Sequence, residues 1–266
     1  MKRKAEFAGA MAVLAALALA PRLAAQAPAA EPGRQAARTF EKHIDIKLDY
    51  LLFLPQDYAK DEGKKWPLIF FLHGAGERGS DVNKVKVHGP PKIVEKRKDF
   101  PFIVLSPQCP ENAWWDPYLL LPLLDEVQSR YRVDPDRVYL TGLSMGGFGT
   151  WELASRAPGR FAAIAPICGG GSPALARRLR DLPVWVFHGD KDPVVPVSMS
   201  DEMVEALKKA GADVRYTRYE GLQHDSWTKT YENEELYTWF LSHRRGEKKA
   251  GGAKPAEPAK AGAGEK

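Results

Sequence analysis

Between residues 44 and 52, apolar side chains fall at every second position: Ile44, Ile46, Leu48, Tyr50 and Leu52. A period of two places alternate side chains on one face of a strand, and the run continues into Leu54 and Pro55. Residues 66–72 (WPLIFFL) are apolar without alternation and end in His-Gly, the pattern of a strand buried on both faces. Residues 101–106 repeat that pattern. From 115 to 133 the period changes: Leu120, Leu123, Leu124 and Val127 share one side of a helix. A strand at 138–141 and a helix at 146–157 follow, the helix stopped by Pro158-Gly159. Strands are expected at 162–167, 184–187 and 214–219. A helix through Met203, Val204 and Leu207 closes at Gly211, and the last helix carries Leu236, Trp239 and Phe240. Alternating strands and helices of this kind predict a mostly parallel central sheet with helices on both faces. Ligands of such sheets bind beyond the carboxyl ends of the strands.

The two ends of the 266-residue chain follow other rules. Lys2, Arg3 and Lys4 precede an apolar run from Phe7 to Ala20, and small residues follow up to Ala30. This is the layout of a secretory signal peptide, expected over 1–27, and the run is shorter than the ~20 apolar residues of a spanning helix. No other segment is apolar enough for a membrane span, so a periplasmic or secreted protein is expected. Residues 28–38 read as a linker, 39–245 as the folded domain, and 246–266 as a disordered tail of Gly, Ala, Lys, Pro and Glu without apolar bulk.

The net charge of +5 changes nothing in this picture. Residues 1–27 hold four basic side chains against one acidic, and the tail five lysines against three glutamates, which leaves 28–245 neutral. A nucleic-acid-binding domain carries its excess on the folded surface, so no nucleic-acid partner is expected. Two cysteines, Cys109 and Cys168, would permit a disulfide in an oxidising compartment without establishing one.

The chemistry lies in the turns. Gly142-Leu-Ser144-Met-Gly146 is a G-x-S-x-G sequence between a predicted strand and a predicted helix. That context lifts a serine hydroxyl to the sheet edge beside a helix N-terminus. A serine needs a base to take its proton, and in this arrangement the order along the chain is Ser, acid, His. His224, in the loop after the last strand, is the candidate base. Of the other histidines, His43 and His243 lie at element ends, His73 in a Gly-rich loop, His88 in a long loop, and His188 is expected to brace a turn. Asp190 and Asp192 both follow the strand at 184–187. Asp192 opens Asp-Pro-Val-Val-Pro and is the candidate acid, with Asp190 bracing the turn. The Met145 N–H, next to the nucleophile, and the Ala75 N–H, in the loop after 66–72, are the candidate oxyanion donors. Trp114, Trp115 and His88 are candidate substrate contacts. No phosphate-binding glycine motif occurs, and no metal or organic cofactor is implied.

The segments LHGAGERG, SPQCP with Trp114-Trp115, DPDRVYLTGLSMGGFGTW, PICGGG, HGDKDPVVP and GLQHDSW together resemble the α/β-hydrolase superfamily from about residue 40 to 245. More narrowly the chain is similar to phospholipase/carboxylesterase and dienelactone-hydrolase-like esterases, a group also labelled prolyl-oligopeptidase-family proteins. The resemblance implies the α/β-hydrolase fold and the same assignments: Ser144 nucleophile, Asp192 acid, His224 base, Ala75 and Met145 oxyanion donors. Only residues 168–183 separate two late strands, too few for a cap domain. The expected activity is carboxylic ester hydrolysis through an acyl-enzyme, on small or polymer-linked esters such as feruloyl or acetyl groups. A serine peptidase and a non-catalytic binding protein on the same scaffold are the alternatives, separable by assaying an ester and a peptide in parallel.

Overall fold

Seven strands make one sheet in the order β1-β3-β2-β4-β5-β6-β7. This computed structural model describes residues 47–247, together with Gln35, Glu41 and Asp45. The chain divides into two units, 1–45 and 46–266. Only those three isolated residues of the first unit are described, and all that follows concerns the second. The expected signal segment, the linker at 28–38 and most of the tail lie outside the described residues.

The strands are β1 (Tyr50–Phe53), β2 (Trp66–Leu72), β3 (Ile103–Pro107), β4 (Val133–Leu143), β5 (Ala163–Ile167), β6 (Val184–Gly189) and β7 (Val214–Tyr219). Only β1 runs antiparallel, against β3; every other pairing is parallel. β2 lies between β3 and β4, and all seven of its residues are buried, which explains its unbroken apolar sequence. Its odd and even positions serve opposite layers. Leu68, Phe70 and Leu72 join one core, while Ile69 and Phe71 join the other.

The first core is covered by α2 (Pro117–Arg130), α3 (Met145–Arg156) and α4 (Ser198–Lys209), through Leu124, Trp151 and Met203. The second is covered by α1 (Gly89–Val94), α5 (Trp227–Tyr231) and α6 (Glu234–Leu241), through Val94, Tyr231 and Phe240. Caps fix where α2 and α6 begin. Asp116 accepts the Tyr118 N–H (2.8 Å) with Pro117 at the first helical position, and Asn233 accepts the Glu235 N–H (3.0 Å). Among the described residues no helix is long and apolar enough to cross a membrane.

Four expectations need correction. The strand read over 44–52 is reduced to Tyr50–Phe53, with Lys47, Leu48 and Asp49 outside it. The helix read over 115–133 stops at Arg130, because Val133 already pairs with Trp66 as the start of β4. The register of that pairing then shifts, from Trp66 with Val133 to Leu68 with Val138. The extra β4 residues form a bulge around Pro135 whose exposed polar positions hide the strand period. The long loop around His88 contains a 3-10 helix, Val82–Val87, and then α1. Pro90 and Pro91 look like a break in sequence, yet they sit in the first turn of α1, where no N–H is required.

The bulge also anchors the end of the domain. Asp134 accepts bonds from Arg137 Nε (2.7 Å), Arg244 Nη1 (3.2 Å) and the Asp136 N–H (3.1 Å). Burial opposes its ionisation, but these donors and the two guanidinium charges outweigh burial and hold its pKa below the ordinary value. The stabilisation is complete above the unfolded pKa of about 3.9 and is lost as pH falls through the lower folded value. Asp134→Asn should reduce unfolding free energy by roughly 2 kcal/mol at pH 7 in urea titrations. The gap to wild type should narrow below about pH 4.

Candidate active site

Ser144 is the single residue between β4 and α3, and its backbone is bent to φ 52° and ψ −118°. A positive φ at a residue with a side chain stores roughly 1–3 kcal/mol and survives only where the surroundings enforce it. Here they do. The Ser144 N–H is directed at Ile167 O (3.0 Å) and Cys168 Sγ (3.3 Å), and Ser144 O accepts the Phe148 N–H (3.0 Å). The motif glycines supply closeness rather than looseness. A Cβ on Gly146 would stand 1.9 Å from Leu72 O, and one on Gly142 would stand 2.3 Å from Gly146 O. Helix α3 therefore starts in backbone contact with β2.

Asp192 lies in the turn after β6, with a side chain closed to solvent. Its Oδ1 accepts the N–H groups of Val194 (2.8 Å) and Val195 (2.9 Å). Its Oδ2 faces His224 Nδ1 at 2.7 Å and His188 Nε2 at 3.1 Å. Burial raises its pKa, while the bonds from His224, Val195 and Val194 lower it further than burial raises it, so it remains a carboxylate. With Nδ1 facing that carboxylate, the hydrogen-bond network assigns the His224 proton to Nδ1. Nε2 is then left to accept from Ser144 Oγ, 3.0 Å away.

The neighbours keep this chain of bonds in place. Burial lowers the pKa of His188, whose Nδ1 meets Ser200 Oγ (2.7 Å) and whose Nε2 meets both Asp192 and Val195 O (3.0 Å). Asp190 accepts the Gly221 N–H (2.8 Å), and the Lys191 N–H reaches Leu222 O (2.9 Å). These bonds tie the Asp192 turn to the loop that carries His224. Both cysteines are buried free thiols. Burial pushes the Cys168 thiol up to about 12, so it acts as a neutral acceptor beneath Ser144. Its sulfur lies within 4.8 Å of ligand atoms of Asp192 and His224.

Ala75 opens a 3-10 helix, Ala75–Glu77, and Met145 opens α3. The first N–H groups of a helix lack acceptors within it. The preceding Gly74 packs so tightly on Leu143 that a Cβ there would lie 2.8 Å from Leu143 Cδ1. His73 fixes that loop: its Nδ1 bonds Gly74 O (2.6 Å), and its Nε2 accepts the Cys109 N–H (2.9 Å). Burial lowers its pKa to about 4, which leaves the imidazole neutral at ordinary pH.

The expected substrate contacts separate. Trp115 is 5% exposed, packs on Gly149, and donates Nε1–H to His73 O (3.1 Å). It serves as a structural strut, and little of its ring is left open for a substrate to touch. Trp114 is 56% exposed, with its ring 6.1 Å from that of Phe148. His88 stands 5.4 Å from the Trp227 ring, which in turn meets the His224 ring edge-on at 5.1 Å. Trp227 and Phe148 escaped the sequence reading. Trp227 is three residues after His224 and Phe148 four after Ser144, a spacing that could have revealed both.

A parallel sheet with one antiparallel edge, helices on both faces and a strained serine between strand and helix defines the α/β-hydrolase fold. Within it, residues 120–238 match the model of the Dienelactone hydrolase family. It is 28% identical over 161 residues to a probable feruloyl esterase C of Aspergillus terreus, across 58% of each chain. It is 32% identical over 122 residues to a bifunctional acetylxylan esterase/xylanase of Neocallimastix patriciarum, across 44% of this chain and 17% of that one. A solved thermostable esterase superposes with a TM-score of 0.66 at 38% identity, covering 75% of this chain and 60% of that one. The chain thus spans less than two thirds of the length of each.

The backbone contact at Gly146 is directly testable. Gly146→Ala should destabilise the protein by at least about 3 kcal/mol, because rigid backbone on both sides must give way. Thermal unfolding would show this as a large fall in Tm, and an unchanged Tm would contradict the contact.

Proposed function

We propose that the protein is a serine hydrolase of carboxylic esters, with residues 39–245 as its catalytic domain. The observation that carries this reading is the unbroken chain Ser144 Oγ–His224 Nε2 and His224 Nδ1–Asp192 Oδ2, at 3.0 and 2.7 Å, beside the start of α3. In the proposed cycle Ser144 Oγ bonds the ester carbonyl carbon while its proton passes to His224 Nε2. The Ala75 and Met145 N–H groups receive the oxyanion. The carbon–alkoxy bond then breaks, and His224 returns the proton to the leaving alcohol. Water, deprotonated by the same nitrogen, attacks the acyl-enzyme, releases the acid and restores Ser144. Asp192 holds the Nδ1 proton and offsets the imidazolium charge throughout. The chemistry needs no metal or organic cofactor.

The names of the relatives point toward feruloyl or acetyl esters on polysaccharides. The short 168–183 connection, which has no room for a cap between β5 and β6, suits a polymer-linked substrate, as does the exposed Trp114. A short-chain nitrophenyl ester, a feruloyl ester and a peptide assayed in parallel test the reading, with turnover of the peptide alone overturning it. Ser144→Ala should lower turnover on the order of 10⁶-fold. Asp192→Asn should cost about 10⁴-fold, since the imidazole tautomer is no longer held. Asp190→Asn should cost much less. A fluorophosphonate probe should map to Ser144 by peptide sequencing, and a label on another serine would sink the mechanism.

Export completes the proposal, supported by the basic start and short apolar run of the sequence. N-terminal sequencing of periplasmic or secreted protein should place the mature start between Ala25 and Glu31. An intact Met1 in a cytoplasmic pool would exclude it.

A further inference from the structure

A cleft of about 290 Å³ opens between α1 and α5, walled by His88, Ile93, Trp227 and Tyr231 and rimmed by Lys92 and Lys96. Its use is suggested by the proposed cycle. The last proton transfer of acylation runs from His224 Nε2 to the departing oxygen, so the alcohol leaves on the His224 side of Ser144. Trp227 meets the His224 ring at 5.1 Å and lines the cleft with His88, so one wall of the cleft packs directly on the base, although neither His224 nor Ser144 lines it. The apolar ring walls suit a flat body. The rim is electropositive: Lys92, Lys96 and Arg97 face one lining carboxylate, Glu232. Arg97 is already paired with Glu234, whereas Lys92 and Lys96 pair with no carboxylate among the described residues.

We propose that this cleft is the leaving-group subsite and selects alcohols that carry a carboxylate on a six-membered ring, with Lys92 and Lys96 as the specificity-determining residues. The inference rests on the esterase reading above. The two lysines act on an exposed rim, so their effect is modest and screened by salt.

Two matched pairs of acetyl esters test it. One pair is 3-carboxyphenyl acetate and its neutral carboxamide counterpart. The other is the acetylated methyl glycosides of glucuronic acid and of glucose. Wild type should favour the acidic member of at least one pair in kcat/KM, chiefly through KM. The acid-to-neutral ratio should fall about tenfold in the Lys92→Glu/Lys96→Glu double variant, and in wild type at high salt. Preference confined to the aryl pair would identify a hydroxyaromatic acid as the alcohol, and preference in the sugar pair a uronate. Both lysines are exposed, and thermal unfolding of the double variant checks its folding. A ratio unchanged by the double substitution overturns the subsite, while turnover abolished by Ser144→Ala keeps the esterase reading. Absence of Ser144-dependent turnover of all four esters overturns the subsite, and it overturns the esterase reading as well only when the nitrophenyl and feruloyl esters are also left intact.

Discussion

Everything at the site depends on one piece of backbone packing, the start of α3 pressed against the end of β2. Because nothing larger than hydrogen fits between Gly146 and Leu72 O, the helix begins as close to the sheet as a chain can come. Ser144 must then turn through a positive φ to connect β4 to that helix. The strain is local, and its enforcement is not. Ile167 and Cys168 of β5 and its following turn hold the Ser144 N–H, while Gly74, after β2, packs on Leu143. Strands on both sides of β4 thus fix the orientation of one hydroxyl, and the same closeness brings the 3-10 helix at Ala75 beside the N-terminus of α3.

The second fixed point is Asp192. Four donors converge on a side chain that water does not reach: two backbone N–H groups and two imidazoles. A buried carboxylate without such partners would take up a proton, because desolvation penalises the charge. Here the hydrogen bonds outweigh burial. His188 matters for the same reason. Burial keeps its own pKa low, so it serves Asp192 as a neutral donor and does not compete with His224 as a cation.

The elements that carry an unbroken apolar run or a helical period were legible in the sequence: β2, the inner strands β5 and β6, and helices α2, α3 and α4. So were Ser144, Asp192 and His224 as candidates, because each follows a predicted strand in a fixed order. Elements shaped by context were not legible. The bulge at Pro135 conceals half of β4, and two prolines conceal α1 although they occupy positions that favour a helix start. Trp114 and Trp115 are adjacent and alike, yet one is open to solvent and the other spans the gap between His73 and Gly149. No property of a dipeptide distinguishes them. The difference arises from which side of the loop after β3 meets α3.

The two faces of the sheet contribute unequally to the site. The α2–α3–α4 face supplies the helix N-terminus and, through Phe148, a support for Trp114. The α1–α5–α6 face supplies Trp227 against His224 and His88 against Trp227. Under the proposed function, a substrate lying across Ser144 would meet backbone donors on one side and aromatic side chains from short helices on the other. Backbone donors at a helix start suit a charge that develops in the transition state, since they need no rearrangement to receive it. On α5, Tyr231 bonds Thr141 of β4 (3.0 Å) and Trp227 packs on His224, so it is the exposed residues of α1 that can change without disturbing the nucleophile. Under the same proposal, discrimination among alcohols would be most easily altered on α1, where sequence can vary while the strained turn stays intact.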